Sequence, residues 1–288
     1  MKAEYRIVDV FAEERGGGNQ LAVVFPEETP TDEEMLLIAR EFHFSETTFV
    51  LDKKKNTFTV RIFTPGQEVP FAGHPTLGTA AVVASKYKLS LSQEIKLNLP
   101  VGEIPVKYQT ENGAFWMKQN PPAFEQEFDV KTIAEKYGFY MSDLYPGYPP
   151  AIVSTGIPFL MLPLANTDVL KRSATVFSSG SGKVDEKDGT PFYCFIPPEK
   201  MNGGLVRARM FAPQFGIAED PATGSAAGCL GAYLARYTRD VDIDVTILQG
   251  AEVNRPSALY VRTIRNEDNY DIRVGGKVRT FAEGVLEF

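Results

Sequence analysis

Two segments place a polar, titratable residue directly ahead of a proline and a run of small residues. The first reads Gly73-His74-Pro75-Thr76-Leu77-Gly78-Thr79-Ala80, the second Asp220-Pro221-Ala222-Thr223-Gly224-Ser225-Ala226. Proline is favoured at the first position of a helix, because its missing N–H would have had no partner there. The spacing therefore predicts His74 and Asp220 at the N-caps of two helices, where free N–H groups and the helix dipole favour an anion or a developing oxyanion. Asp is a good cap, worth about 1 kcal/mol, so Asp220 fits a structural role as well as a chemical one, and the two are compatible. Histidine is a poor cap, which makes His74 the stronger candidate for proton chemistry. Ser225 reads either as a small residue in a packed helix or as a polar partner for substrate. Its surroundings lack the Gly-x-Ser-x-Gly elbow of a serine hydrolase. His43, the other histidine, ends an amphipathic segment and reads as packing.

The two segments also look like copies of one another. Both run Arg-x-Phe-x-Pro (from Arg61 and Arg209), a short loop, then [His/Asp]-Pro-x-x-Gly-[Thr/Ser]-Ala. Aligned this way, His74 falls on Asp220, Gly78 on Gly224 and Thr79 on Ser225, about half a chain apart. A fainter echo pairs GNQLAVVF from Gly18 with GIPFLMLP from Gly156. The reading is a duplicated domain with a pseudo-twofold axis, bringing both helix starts to one interdomain cleft.

The elements that must carry these residues are mostly short strands. Runs rich in Val, Ile, Thr and Phe recur at Tyr5–Val10, Leu21–Phe25, Thr47–Leu51 and Phe58–Phe63, and again at Phe159–Leu162, Phe192–Ile196, Leu205–Phe211 and Val245–Leu248. Asp32–Phe42 is amphipathic, with Thr31 as cap. Pro75–Tyr87 and Pro221–Tyr237 are instead apolar and small on every side, so each must be buried all round inside a curved sheet. Asn120–Phe128, with its paired prolines and acids, reads as a linker, and Ser178–Thr190 as a polar, glycine-rich surface loop. The expectation is an α+β chain of two pseudo-symmetric domains, each a rolled β-sheet or barrel around a central helix. Residues 1–120 with about 279–288 form one domain and 121–278 the other.

Composition narrows the chemistry. Thirty basic against 37 acidic residues give a net charge of −7, which argues against nucleic acid and anionic membranes as partners. Two Cys and two His leave no disulfide framework and almost no room for a metal site. Neither a signal-peptide pattern nor an apolar run of membrane length is visible, so a cytoplasmic setting is expected.

With GGGNQLAVVF from Gly16, SETTFV from Ser45, RIFTPGQEVPFAGHPTLGTA from Arg61 and RMFAPQFGIAEDPATGSAAGCLGAYL from Arg209, the chain resembles the phenazine-biosynthesis isomerase (PhzF-like) family over almost its whole length. The resemblance implies the diaminopimelate-epimerase-like fold, a homodimer, no cofactor or metal, and a small anionic substrate. In the phenazine member the reaction is isomerisation of trans-2,3-dihydro-3-hydroxyanthranilate by proton shuttling. Carried over by motif, Glu46 is the base, assisted by His74, Asp220 and Ser225. Asn19, Gly73, Thr223 and Gly224, from the same motifs, are expected to bind substrate. Taken alone, Glu46 would read as a solvated charge at a strand edge. One departure is Gln20, where the family more often has Pro, which bears on the shape of one pocket wall. Related epimerases use two cysteines, one at each central-helix start, and neither Cys194 nor Cys229 is so placed. Other classes stay open: a non-catalytic metabolite binder, and a hydrolase or an epimerase without paired cysteines using the same cleft.

Overall fold

The structure is a computed structural model that describes residues 2–177, 189–238 and 240–288. Residues 178–188, most of the Ser178–Thr190 loop reading, lie outside them. The chain divides into two compact units, one of Met1–Lys118 with Gly275–Phe288 and one of Gln119–Val274.

In the first unit β1 (Lys2–Val10) and β2 (Asn19–Pro26) precede α1 (Asp32–Phe42), followed by β3 (Glu46–Lys54), β4 (Thr57–Phe63) and the short β5 (Glu68–Val69). Next come α2 (Gly73–Lys86), β6 (Ile95–Leu99), β7 (Gly102–Gln109) and β8 (Ala114–Lys118). The β1–β2, β3–β4, β6–β7 and β7–β8 pairs are antiparallel, while β2–β3 and β4–β6 are parallel. The resulting sheet rolls around α2, which touches β1, β2, β3, β6, β7 and β8. Small residues permit that closeness. At Gly78 a Cβ would stand 2.6 Å from Leu21 Cδ2 and 2.7 Å from Val10 Cγ2. On the outer face of the sheet, Met35, Ile38 and Ala39 of α1 pack on Val24, Phe49 and Phe63. The cap of α1 is a reciprocal Thr31–Glu34 box, as the sequence suggests.

The second unit repeats this plan. Its elements are β9 (Ala123–Glu127), α3 (Val130–Tyr137), β10 (Ala151–Ser154), β11 (Pro158–Pro163), α4 (Thr167–Phe177), β12 (Phe192–Ile196), β13 (Asn202–Ala212), β14 (Ile217–Asp220), α5 (Gly224–Tyr237), β15 (Asp242–Gln249), β16 (Ser257–Asn266) and β17 (Asn269–Gly276). Again antiparallel β10–β11, parallel β11–β12, antiparallel β12–β13, parallel β13–β15 and antiparallel β15–β16 follow in order. The buried helix α5 touches β10, β11, β15 and β16. The chain then returns to the first unit as β18 (Val278–Glu287), antiparallel to β1. Among the described residues no helix is long and apolar enough to cross a membrane.

Two expectations fail locally. The Asn120–Phe128 segment, just past the boundary between the units, is not a bare linker but holds strand β9, paired with β10, because a ladder of backbone bonds needs no run of apolar side chains. Short helices α3 and α4, absent from the sequence reading, are capped by Asp129 and Asn166, whose side chains accept from Thr132 N–H and from the Asp168 and Val169 N–H groups.

The Arg-x-Phe-x-Pro motif explains itself in both units. Arg61 grips Glu68 in a fork, Nε to Oε1 at 2.7 Å and Nη2 to Oε2 at 2.6 Å, and lies 5.1 Å above the Phe63 ring. Arg209 grips Glu219 the same way, at 2.9 and 2.5 Å, and lies 5.1 Å above Phe211. Each fork ties the strand before the buried helix to the turn that launches it. The clamps differ in burial. Arg61 also reaches exposed Asp32 at 2.6 Å, whereas Arg209 and Glu219 are 5 % and 8 % exposed, and Arg209 Nη1 is held by the Lys171 carbonyl of α4 at 3.0 Å. Removing one partner of a buried pair strands a charge, at about 3–5 kcal/mol. Glu219→Ala should therefore lower unfolding free energy in urea by about that much, and Glu68→Ala by about 1 kcal/mol or less, since Arg61 keeps Asp32 and water.

Candidate active site

Structure moves the register of the duplication. Helix α2 begins at Gly73 after Ala72, and α5 at Gly224 after Thr223. An interval of 151 residues separates these two starts and likewise Glu68 from Glu219, whereas Arg61 and Arg209 are 148 apart. The three extra residues are accommodated where a 3₁₀ turn, Pro213–Phe215, lies between Arg209 and Glu219. His74 is consequently equivalent to Ser225, not Asp220. Both are second residues of buried helices, and neither His74 nor Asp220 is a cap. Pro75 stands third in α2, inside the first turn where no intrahelical N–H is required, which is why matching the prolines misled. Neither helix start receives a side-chain cap bond or an acid in its first turn, so each keeps its N-terminal dipole unneutralised by its own side chains.

In the first unit two predicted residues meet. Glu46 opens β3, with Leu21 of β2 opposite, and its Oε2 lies 3.4 Å from His74 Nε2. His74 is 7 % exposed and Glu46 19 %. Burial drives the imidazole down to about 3, opposed by a hydrogen bond to the Gln20 backbone carbonyl. His74 is thus neutral at working pH. With Nε2 facing Glu46, the nitrogen that donates to Gln20 is Nδ1, and Nε2 presents a lone pair to the carboxyl group. Gln20 contributes through its carbonyl, which any residue at that position possesses. Asn19, the residue before it, is buried at the start of β2.

What fixes the distance between Glu46 and His74 was missed from sequence. Thr48, buried two residues along β3, is hydrogen-bonded to Thr79 of α2 at 2.8 Å. This bond pins the strand that bears Glu46 to the helix that bears His74. Nothing in the motif itself distinguishes Thr79 from a small packing residue, since its partner is 31 residues away.

The second unit holds Asp220 at the end of β14, buried, with Oδ2 accepting from Thr223 Oγ1 at 2.6 Å. Thr223 is the residue before α5, and half-buried Ser225 lies two positions on. Position by position the units differ in polarity. The strand ladders match Phe63 with Phe211 and so Thr47 with Phe192, which gives Glu46 the counterpart Pro191. Only one unit carries a carboxyl group at that place.

The cysteines are unsuited to acid–base work. Cys194 in β12 and Cys229 in α5 are buried, and burial pushes both thiols up to about 12. Cys229 is the sixth residue of α5 and not at its start.

The sequence matches the family model described as phenazine biosynthesis-like protein over residues 8–284. It is 32 % identical over 286 residues to the trans-2,3-dihydro-3-hydroxyanthranilate isomerase of Pseudomonas aeruginosa, covering 97 % of this chain and 98 % of that one. The uncharacterized isomerase YddE of Escherichia coli is 31 % identical over 290 residues, covering 96 % and 95 %. Among solved structures, a Bacillus anthracis phenazine biosynthesis protein of the PhzF family superposes with a TM-score of 0.84 at 25 % identity over both whole chains. A hydroxyproline epimerase from Agrobacterium vitis shares the fold at 11 % identity, with a TM-score of 0.62 over 99 % and 92 % of the chains.

The buried imidazole sets a pH dependence of stability. Its folded pKa lies below the unfolded 6.5, so only the unfolded chain takes up this proton between about pH 6.5 and 3. The stability that neutral His74 retains is full above pH 6.5 and lost as pH falls through that window, with a slope of about 1.4 kcal/mol per pH unit. His74→Asn should flatten the unfolding free energy by one proton's slope there, read from urea titrations at stepped pH.

Proposed function

The chain belongs to the phenazine biosynthesis-like protein family, and from that premise we propose that it is a cofactor-independent isomerase, moving a proton within a small carboxylate-bearing substrate by general acid–base catalysis. The observation that carries this reading is the Glu46–His74 contact, 3.4 Å between a carboxyl oxygen and a neutral imidazole nitrogen locked by the Gln20 carbonyl.

Glu46 as carboxylate takes a proton from a substrate carbon and becomes the acid. In that form its O–H has an acceptor in His74 Nε2, which holds the proton near the substrate until it is delivered to another atom. Proton count and charge are the same before and after, as an isomerisation requires. The uncapped helix starts at Gly73 and Gly224 stabilise negative charge as it develops, while Asp220, Ser225, Asn19 and Thr223 hold the substrate's polar groups. General acid–base transfer supplies about 10²–10⁴-fold, so positioning and electrostatics account for the remainder.

The lack of a base at the place equivalent to Glu46 supports isomerisation over an epimerisation by symmetry-related bases. Pro191, the counterpart of Glu46, offers no proton acceptor, and the two thiols stay protonated. Assembly as a homodimer and a cytoplasmic setting belong to the same proposal and rest on family membership and the acidic composition.

The test follows carbon-bound hydrogen. With trans-2,3-dihydro-3-hydroxyanthranilate and a panel of carboxylate metabolites in D₂O, the wild type should incorporate deuterium into at least one, and Glu46→Gln should slow that exchange by about 10²–10⁴-fold while the folded spectrum is kept. Near-normal exchange in Glu46→Gln would remove the role given to Glu46. A melting shift without exchange by the wild type would instead identify a binder. Cys194→Ala and Cys229→Ala should each retain exchange within about threefold, since neither thiol ionises at working pH.

A further inference from the structure

Beneath Asp220 lies a polar chain that the first unit does not have. Gln249, the last residue of β15 and 2 % exposed, meets Asp220 and Thr223 together. Its Nε2 donates to the Asp220 carbonyl at 2.8 Å and to Thr223 Oγ1 at 3.0 Å. Its Oε1 accepts from Tyr193 O–H at 3.1 Å and from the Thr223 N–H at 3.4 Å. The amide orientation is forced, because a backbone N–H can only donate and a carbonyl only accept. Every hydrogen-bonding capacity of the amide is thereby used.

That arrangement dictates the direction of the next bond. Thr223 Oγ1 already accepts from Gln249, so its single hydroxyl proton points to Asp220 Oδ2, 2.6 Å away. Tyr193 is fully buried, and burial raises its phenol well above the ordinary range, so it remains a neutral donor at the base of the chain. The backbone is seated as well. Gly250, at φ +79°, is packed so that a Cβ would stand 2.4 Å from the Pro221 carbonyl oxygen.

The duplication shows that the fold does not ask for this polarity. The ladders place Leu99 where Gln249 stands, since Thr59 pairs with Asn98 as Arg207 pairs with Leu248. Val69 stands at the place of Asp220 and Ala72 at that of Thr223. The same turn into the same kind of buried helix is built in the first unit from three apolar residues. Polar residues buried at these three places therefore serve something other than the turn.

We propose that Gln249 is a positioning residue of the reaction: it locks Thr223 so that the threonine hydroxyl orients the Asp220 carboxylate for substrate. This rests on the reading that Asp220 meets substrate, and it adds the residue that aims it. Gln249→Leu installs the first unit's own solution, and Gln249→Leu with Tyr193→Phe removes the phenol that the single change would leave unpaired.

Assayed with trans-2,3-dihydro-3-hydroxyanthranilate, both variants should lose about 10- to 100-fold in kcat with a smaller change in KM, and the double variant should melt within a few degrees of the wild type. Crystal structures of wild type and Gln249→Leu should show α5 unmoved and the Asp220 carboxylate turned away from Thr223. Full kcat in Gln249→Leu, recovery of kcat together with stability in the double variant, or an Asp220 carboxylate that keeps its orientation would each overturn the proposal. If the wild type does not turn this compound over, the assay uses whichever metabolite of the panel exchanges; exchange with none of them would count against the isomerase reading instead, and the crystallographic comparison then decides for Gln249 alone.

Discussion

A helix with no polar face has only one stable environment, and the architecture follows from supplying it twice. Helices α2 and α5 are 14 residues each and buried along most of their length. A flat sheet covers one side of such a helix, so the strands must roll around it, and glycines such as Gly78 set how tightly they close. Amphipathic helices then cover the outer face, α1 in one unit and α3 with α4 in the other. A chemical consequence follows. A buried helix whose first turn has no capping side chain keeps its N-terminal dipole for whatever else is there, and His74 and Ser225 stand at that position.

Comparison of the two units separates what the fold requires from what it merely accommodates. Both have the arginine fork, the aromatic ring beneath it and the same alternation of parallel and antiparallel pairs. Those features set the frame. At equivalent points of that frame, Glu46 corresponds to Pro191, His74 to Ser225, and Leu99 to Gln249. One unit has a carboxyl group against a buried imidazole and the other a hydrogen-bonded acid. A duplicated protein thus contains its own control, since each of these residues can be judged against a different one in the same backbone setting.

Much of this was legible in the residues because its causes are local. Thr31 and Glu34 announce α1, and the small-residue stretches announce burial on every side. Matching by residue identity, however, paired Pro75 with Pro221 and set the repeat five residues out of register. The helix start is decided by where the strand turn ends, and Pro is tolerated anywhere in a first turn. Strand β9 was hidden because acids and prolines mask a segment whose side-chain partners, Tyr270 and Arg236 on Phe124 and Tyr237 on Glu127, lie far along the chain. Glu46 carried no local signal of its role, because its significance lies in a histidine 28 residues away that only the β3–α2 contact brings near. Gln249 was illegible for the same reason: its partners, Tyr193 and the Asp220–Thr223 turn, lie in two other segments of the chain.

The return of β18 to β1 also orders events in time. The first unit comprises two stretches of chain separated by the whole of the second, whose own residues run without interruption from Gln119 to Val274. During synthesis every strand of the second unit is present before the strand that closes the first. Pairing Lys2 with Glu287 requires closing a loop that spans the whole of the second unit, an entropic cost that grows with separation and slows folding. The unit that carries Glu46 and His74 is therefore the one whose last strand is synthesised after the other unit is complete, and until β18 docks, the hydrogen-bonding edge of β1 that it covers stands open to any other extended strand.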